Sequence, residues 1–304
     1  MTLGSAVSKH RRPTTHTIDG PGMQYGNFIR FCEAIMRLRP TQLGAALKFI
    51  LGLRRRVITV PSGTRYFADP VSLLGLSLMK TGCYEADMTQ LIESMLKPAD
   101  TFIDLGANEG YFSVLAGKIL KQGKVLAIEP QSRLQPVLAE NQRLNDLHNV
   151  RVCQGAVADR EGSTALALRP STHTGASSMF PYWRIGWNKE TVRTMTLDQL
   201  FKEQGIQDAA LMKVDCEGAE KLIFTGSIEV LATHRIHAII LEYHPQIIGT
   251  RACRSIDGWL RDLGYRGMQW RGLKIYLAPA VTNDTLPNDA VALAPDWLSG
   301  VSPA

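Results

Sequence analysis

Apolar positions change their spacing several times along the chain. Residues 1–26 show no apolar periodicity and, being rich in Ser, Thr, His, Gly and Pro, read as a disordered tail. Over residues 28–53 apolar side chains recur at helical spacing among Arg30, Arg37, Arg39 and Lys48, with breaks at Pro40 and Gly44, which predicts two basic amphipathic helices. Residues 57–60 and 65–67, around the polar turn Pro61-Ser62-Gly63-Thr64, predict a hairpin. Asp87 with Gln90 reads as a capping box for a helix that Pro98 stops.

Beyond that proline, apolar strand-like runs at 101–105, 124–128, 150–157, 211–215 and 238–243 alternate with amphipathic segments. One helix presents Phe112, Leu115, Ala116 and Ile119 on a single face; the next, boxed by Ser132 and Gln135, buries Leu134, Leu138 and Leu144. Ile256, Trp259, Leu260 and Leu263 predict a last helix closed by Gly264, followed by an antiparallel hairpin over 265–270 and 274–277. Such alternation predicts an α/β fold: a mostly parallel twisted sheet with helices on both faces and a C-terminal antiparallel hairpin. The predicted organisation is a tail over 1–26, a basic helical and hairpin extension over 27–71, the α/β domain over 72–279 and a C-terminal tail over 280–304.

Composition agrees with a folded globular chain, since 45% of the 304 residues are hydrophobic and 20% charged. Cys32, Cys83, Cys153, Cys216 and Cys253 are odd in number and lack the spacing of a zinc site, so they read as reduced thiols. No run is long and apolar enough to cross a bilayer and no secretory signal opens the sequence, which leads us to expect a cytoplasmic protein. The net charge of +6 is unevenly spread: residues 1–65 carry 11 Lys and Arg against 2 Asp and Glu, leaving 23 against 26 for the rest. The basic field therefore lies outside the α/β domain, and no nucleic-acid partner is expected. The basic helices read as a cap on that domain, with peripheral membrane contact through residues 28–56 as the second reading.

Asp104-Leu105-Gly106-Ala107-Asn108-Glu109-Gly110 falls where the first strand turns into a helix, the ligand edge of an open parallel sheet. Its glycines predict close backbone approach to a ligand, and its acids suit a cation better than a pyrophosphate. Glu129, 25 positions after Asp104 and just before Pro130, has the place of a ribose-binding acid. Asp215, Glu217, Glu242 and His244 gather at the ends of the fourth and fifth strands. We expect Asp215 or His244 as general base, with Glu217 and Glu242 holding substrate hydroxyls; a divalent metal on Asp215, Glu217 and Glu242 is the alternative. Glu217 and Glu220 also read as helix-dipole partners. The long segment 169–194, with His173, Thr174, Ser177, Ser178, Met179, Tyr182, Trp183 and Trp187, reads as a lid or acceptor platform.

Taken in order, these blocks resemble the FkbM-type methyltransferases over residues 101–244. The resemblance rests on residues 104–113, Glu129-Pro130, Asn141, Asn145, residues 149–162, Gly175-Ala176-Ser177-Ser178, Thr196-Leu197-Asp198, Lys213-Val214-Asp215-Cys216-Glu217-Gly218-Ala219-Glu220 and Glu242-Tyr243-His244. Cys216 stands where an aliphatic residue is usual and Glu109 where an apolar one is common. The resemblance implies a Rossmann-like class I methyltransferase fold, S-adenosylmethionine as methyl donor and O-methylation of a hydroxyl on a saccharide or polyketide-like metabolite. The cofactor site expected on this basis comprises Asp104, Gly106, Ala107, Asn108, Gly110, Tyr111, Glu129, Pro130, Ala156 and Val157. RNA or protein methylation, and a non-catalytic module that keeps the cofactor fold, are the rival readings.

Overall fold

A computed structural model describes residues 18–19, 26–170, 174–175, 177–179, 188–294 and 297–298. The expected tail is paired at one point: β1 (Ile18–Asp19) runs parallel to β2 (Arg56–Thr59). Between them lie α1 (Gly26–Arg37) and α2 (Thr41–Ile50), the two predicted basic helices. β3 (Arg65–Ala68) pairs antiparallel with β2 through the predicted turn, in which Gly63 takes a φ of 77°. Then come α3 (Leu73–Thr81) and α4 (Ala86–Met95). α4 begins one residue before Asp87, so that side chain is not the cap; it accepts instead from Arg271 Nη1 at 2.8 Å.

The central sheet is built from β4 (Thr101–Leu105), β5 (Lys124–Ile128) and β6 (Val150–Cys153), with α5 (Tyr111–Ile119) and α6 (Gln135–Leu144) as crossovers. Ser132 and Gln135 form no capping box: Gln135 Nε2 reaches back to the Glu129 carbonyl at 2.8 Å. The apolar run 150–157 is two strands, because after β6 the chain leaves the sheet at Gly155 and enters β7 (Ala156–Val157). β7 pairs with β9 (Lys189–Met195), which pairs with β8 (Gly162–Ala167), making a separate small sheet that periodicity did not predict.

After α7 (Leu197–Gln204) the chain returns to the main sheet as β10 (Leu211–Val214), passes through α8 (Glu220–Thr225) and α9 (Ile228–Ala232), and continues as β11 (Ala238–Leu241). α10 (Pro245–Ile248) and α11 (Thr250–Asp262) lead to the terminal hairpin β12 (Arg266–Trp270) and β13 (Leu273–Leu277). β14 (Val291–Ala292) pairs with β12, and Leu286, Leu293 and Leu298 are buried, so the segment expected as a tail packs on the domain.

The strand order is β14-β12-β13-β11-β10-β4-β5-β6, parallel from β6 through β11 and antiparallel at the hairpin. This is the Rossmann-like class I methyltransferase arrangement. Side chains alternate across it. On β10, Leu211 joins one apolar layer while Met212 and Val214 join the other. The first layer runs without a break from Cys32 and Ile35 of α1 to Phe102 and Ile240 in the sheet.

Candidate active site

The β10–β4 reversal of strand order opens a cleft at the carboxyl ends of the strands, as sheet topology requires. A cavity of about 310 Å³ lies there. The loop after β4 forms one wall. Its Gly106, with φ 79°, leaves no room for a side chain: a Cβ would come within 1.9 Å of the Asp215 carbonyl oxygen. Gly110 is likewise tight against Leu138. The close approach expected of these glycines toward a ligand is thus an approach to protein, and it locks the loop of β4 to the turn after β10. Gly106, Ala107, Asn108 and Tyr111 line the cavity; Gly110 lies behind them.

Glu129, one residue beyond β5, faces the cavity while 3% exposed. Its two oxygens accept the backbone N–H groups of Asn108 at 2.8 Å and Gln131 at 2.9 Å. Burial pushes its carboxyl up to about 7 against the pull of those donors. Pro130, Ala156, Val157, Leu166 and Met179 complete an apolar surface beside it. Of the long segment, Thr174, Gly175, Ser177 and Met179 border the cavity; His173, Tyr182, Trp183 and Trp187 lie outside the described residues.

Asp104 does not line the cavity. It is fully buried below the loop, accepting from Ser113 Oγ at 2.6 Å, with Lys213 Nζ 3.5 Å from its other oxygen. Asp104 and Lys213 are direct partners in the parallel ladder, which places both on the same face of the sheet. Lys213 Nζ is also 3.5 Å from Asp215. Burial works against the ammonium, but Asp215 and Asp104 outweigh it and hold the lysine protonated.

At the far end of the cavity stand Glu85, Asp215, Glu217 and Glu242. Glu242 follows β11, its N–H bonded to the Val214 carbonyl at 2.9 Å; burial, with Asp215 and Glu85 nearby, raises its carboxyl to about 7. Glu217 sits in the turn before α8 with a φ of 50°, where a side chain other than glycine is uncommon, and burial pushes it to about 7. His244 is 6% exposed. Its Nδ1 is 2.7 Å from Glu220 Oε1, while Nε2 points between Asp215 (3.8 Å) and Glu217 (4.0 Å). Burial lowers the imidazole pKa, but Glu220, Asp215 and Glu217 raise it to about 9. Asp215, Glu217 and His244 present ligand atoms within 4.8 Å of one another, so the trio within reach of one metal ion contains His244 where Glu242 was expected.

Sequence reasoning missed three contributors. Glu85, before α4, comes from outside the alternating region. Glu220, read as a dipole partner, is fully buried against His244. Lys213 had one signal, a charge in the buried run Leu211-Met212-Lys213-Val214.

Comparison with known proteins identifies the family. The chain is 30% identical over 198 residues to a methyltransferase, sdnD, of Sordaria araneosa, a match covering 55% of this chain and 74% of that one. It is 24% identical over 172 residues to the 2-O-methyltransferase NoeI of Sinorhizobium fredii, covering 52% and 68%. Among solved structures, the precorrin-6y C5,15-methyltransferase of Geobacter metallireducens superposes with a TM-score of 0.39 at 13% identity, over 64% of this chain and 89% of that one. The methyltransferase FkbM domain matches residues 104–266. With that domain covering more than half of the sequence, the chain belongs to the FkbM methyltransferase family and is an S-adenosylmethionine-dependent methyltransferase.

Proposed function

We propose that the chain methylates a hydroxyl of a small polyhydroxylated acceptor, a saccharide or polyketide-like metabolite, with Glu242 taking the proton. The observation that carries this reading is the concentration of carboxylates at one end of the cavity, two of them poised near neutrality. Hydroxyl groups donate to carboxylates. A phosphate backbone would be repelled, for among the described residues lining the cavity Lys213 is the one cation, and it is engaged by Asp104 and Asp215. The likeness to a protein named a 2-O-methyltransferase supports transfer to oxygen.

The other end of the cavity fits the cofactor. Glu129, fixed by two backbone donors, keeps acceptor capacity for ribose hydroxyls, and Asn108 Oδ1 is buried without a hydrogen bond. We assign Gly106, Ala107, Asn108, Tyr111, Glu129, Pro130, Ala156 and Val157 to cofactor binding, with Asp104 and Gly110 supporting the loop from behind. S-adenosylmethionine supplies an electrophilic methyl group on a cationic sulfur. The chain's task is to hold the acceptor oxygen in line and remove its proton, since an aliphatic hydroxyl is a poor nucleophile.

Glu220, Asp215 and Glu217 favour the protonated imidazole of His244, which makes it a poorer base than Glu242. We assign Asp215 and Glu217, with His244 Nε2 3.8 and 4.0 Å away, to accept from the acceptor's hydroxyls. Glu242 is deprotonated above about pH 7 and can act as the base.

Methyl capture from labelled cofactor by separate glycan, small-metabolite, protein and RNA fractions tests the acceptor class; label confined to RNA overturns it. For the base, Glu242→Gln is expected to bind the cofactor within about threefold of wild type by calorimetry while turnover falls by about 10² or more. Wild-type kcat/KM should rise through about pH 7 and fall above about pH 9, as Glu242 and then His244 lose their protons. Unchanged turnover in Glu242→Gln removes it from the reaction.

A further inference from the structure

We propose that the outward faces of α1 and α2 dock this enzyme on an anionic lipid bilayer, a property independent of which acceptor it methylates. Nine large apolar side chains are exposed among the described residues, and six of them, Phe31, Leu38, Leu43, Phe49, Ile50 and Leu51, lie between residues 31 and 51. Phe49 and Ile50 are 86% and 76% exposed. Single exposed apolar residues are ordinary; a cluster of this kind marks a binding surface.

The spacing makes the cluster a face. On α2 the exposed positions are Gln42, Leu43, Ala46, Phe49 and Ile50, about one turn apart and all apolar but the first. The exposed positions of α1 follow a similar interval and mix polar and charged with apolar groups: Asn27, Arg30, Phe31, Ala34 and Arg37, with exposed Leu38 just past its end. The inner faces are already occupied. Cys32 and Ile35 are in the core, and Gly44 lies so close to α1 that a Cβ would meet the Ile35 carbonyl oxygen at 2.6 Å.

Charge selects the occupant. Residues 26–56 contain seven Arg and Lys against one acid, Glu33; Lys48 and Arg55 are taken by Asp69 and Glu109, and the other five still outnumber Glu33, whereas residues 66–304 carry a net negative charge. An anionic surface therefore attracts this end and repels the remainder, which fixes one orientation. A second copy of the chain would set the same basic face against itself. Apolar and basic side chains interleave along the helices, as in helices that lie in the plane of a membrane interface with arginines at headgroup level. No helix among the described residues is long and apolar enough to cross a membrane.

Sedimentation of the full chain with vesicles tests this directly, using phosphatidylcholine alone and phosphatidylcholine with about one-third phosphatidylglycerol. The wild-type chain should pellet with the anionic vesicles, remain in solution with the neutral ones, and be released by high salt. Phe49→Ser/Ile50→Ser and Arg39→Gln/Arg54→Gln should each weaken binding about tenfold or more. Both should keep the wild-type melting temperature and cofactor affinity, since none of these side chains enters the core or the cavity. Wild-type protein that stays in solution with anionic vesicles overturns the proposal. So does undiminished binding by Phe49→Ser/Ile50→Ser, or a wild-type dimer that this double variant converts to monomer.

Discussion

Glu129, Glu217 and Glu242 each keep a proton to about pH 7 because the folded chain removes water from them. Their folded pKa values lie above the unfolded value of about 4.3, so their contribution to stability is complete below that pH and is lost as pH rises through about 7. His244 has the same sign in a higher window: its contribution is complete below about 6.5 and lost as pH rises through about 9. Surface-paired carboxylates such as Glu33 and Glu140 oppose this only slightly. We expect the melting temperature of the cofactor-free protein to fall by about 5 °C or more from about pH 5 to about pH 9. Glu129→Gln should flatten the lower limb and His244→Gln the upper one; a melting temperature that rises across the range would contradict the burial of all four groups. The strand-end acids and His244 were legible in the sequence because a residue that closes an apolar run must emerge at the sheet edge. Glu85 and Glu220 were not, since their places depend on how α4 and α8 pack against other elements, and local spacing carries no record of that.

The loop after β4 and the turn after β10 act as one element because Gly106 touches the Asp215 carbonyl. Gly205, in contrast, takes a φ of 62° with nothing within 4 Å of its missing Cβ. Gly205→Ala should therefore cost only about 1 kcal/mol, the backbone cost of a left-handed alanine. Gly106→Ala adds a clash with backbone and should cost about 3 kcal/mol or more, with loss of cofactor binding; urea denaturation and calorimetry read both effects. Equal costs at the two positions would mean that the loop and the turn are not in contact. Sequence pattern located nearly every strand and helix of the central sheet, because burial on both faces writes long apolar runs. It failed at helix starts and at the β7–β9–β8 sheet. The predicted boxes at Asp87 and Ser132 are absent, while Thr196 and Gln199 form a complete one. Asp198, in the same block, accepts the N–H groups of Glu229 and Val230 and so fixes α9. That block is structural, and the same holds for Asn141 and Asn145, whose side chains bond the backbone of β3 at Phe67 and Arg65.

Those two asparagines show how the basic extension joins the catalytic body. The apolar layer that starts in α1 crosses residue 71, the boundary expected from sequence, and reaches into the sheet without interruption. One ion pair crosses it as well, Arg55 with Glu109, while Lys48 and Asp69 pair within the extension. Glu109 stands where the resemblance noted in the sequence leads one to expect an apolar residue, and its side chain is 1% exposed. Burial raises its pKa while Arg55 holds it down, so the acid in the loop after β4 has its partner in the extension. Removing the arginine strands a buried charge. Arg55→Met should destabilise the whole protein by about 3 kcal/mol in urea denaturation, with cofactor affinity falling as the loop shifts. Glu109→Gln introduced into Arg55→Met should recover about 1–2 kcal/mol, because the charge left unpaired is then gone. Were the extension only an appendage, Arg55→Met would be silent and the second substitution would recover nothing; coupling between the two would make the extension part of the cofactor site's own foundation.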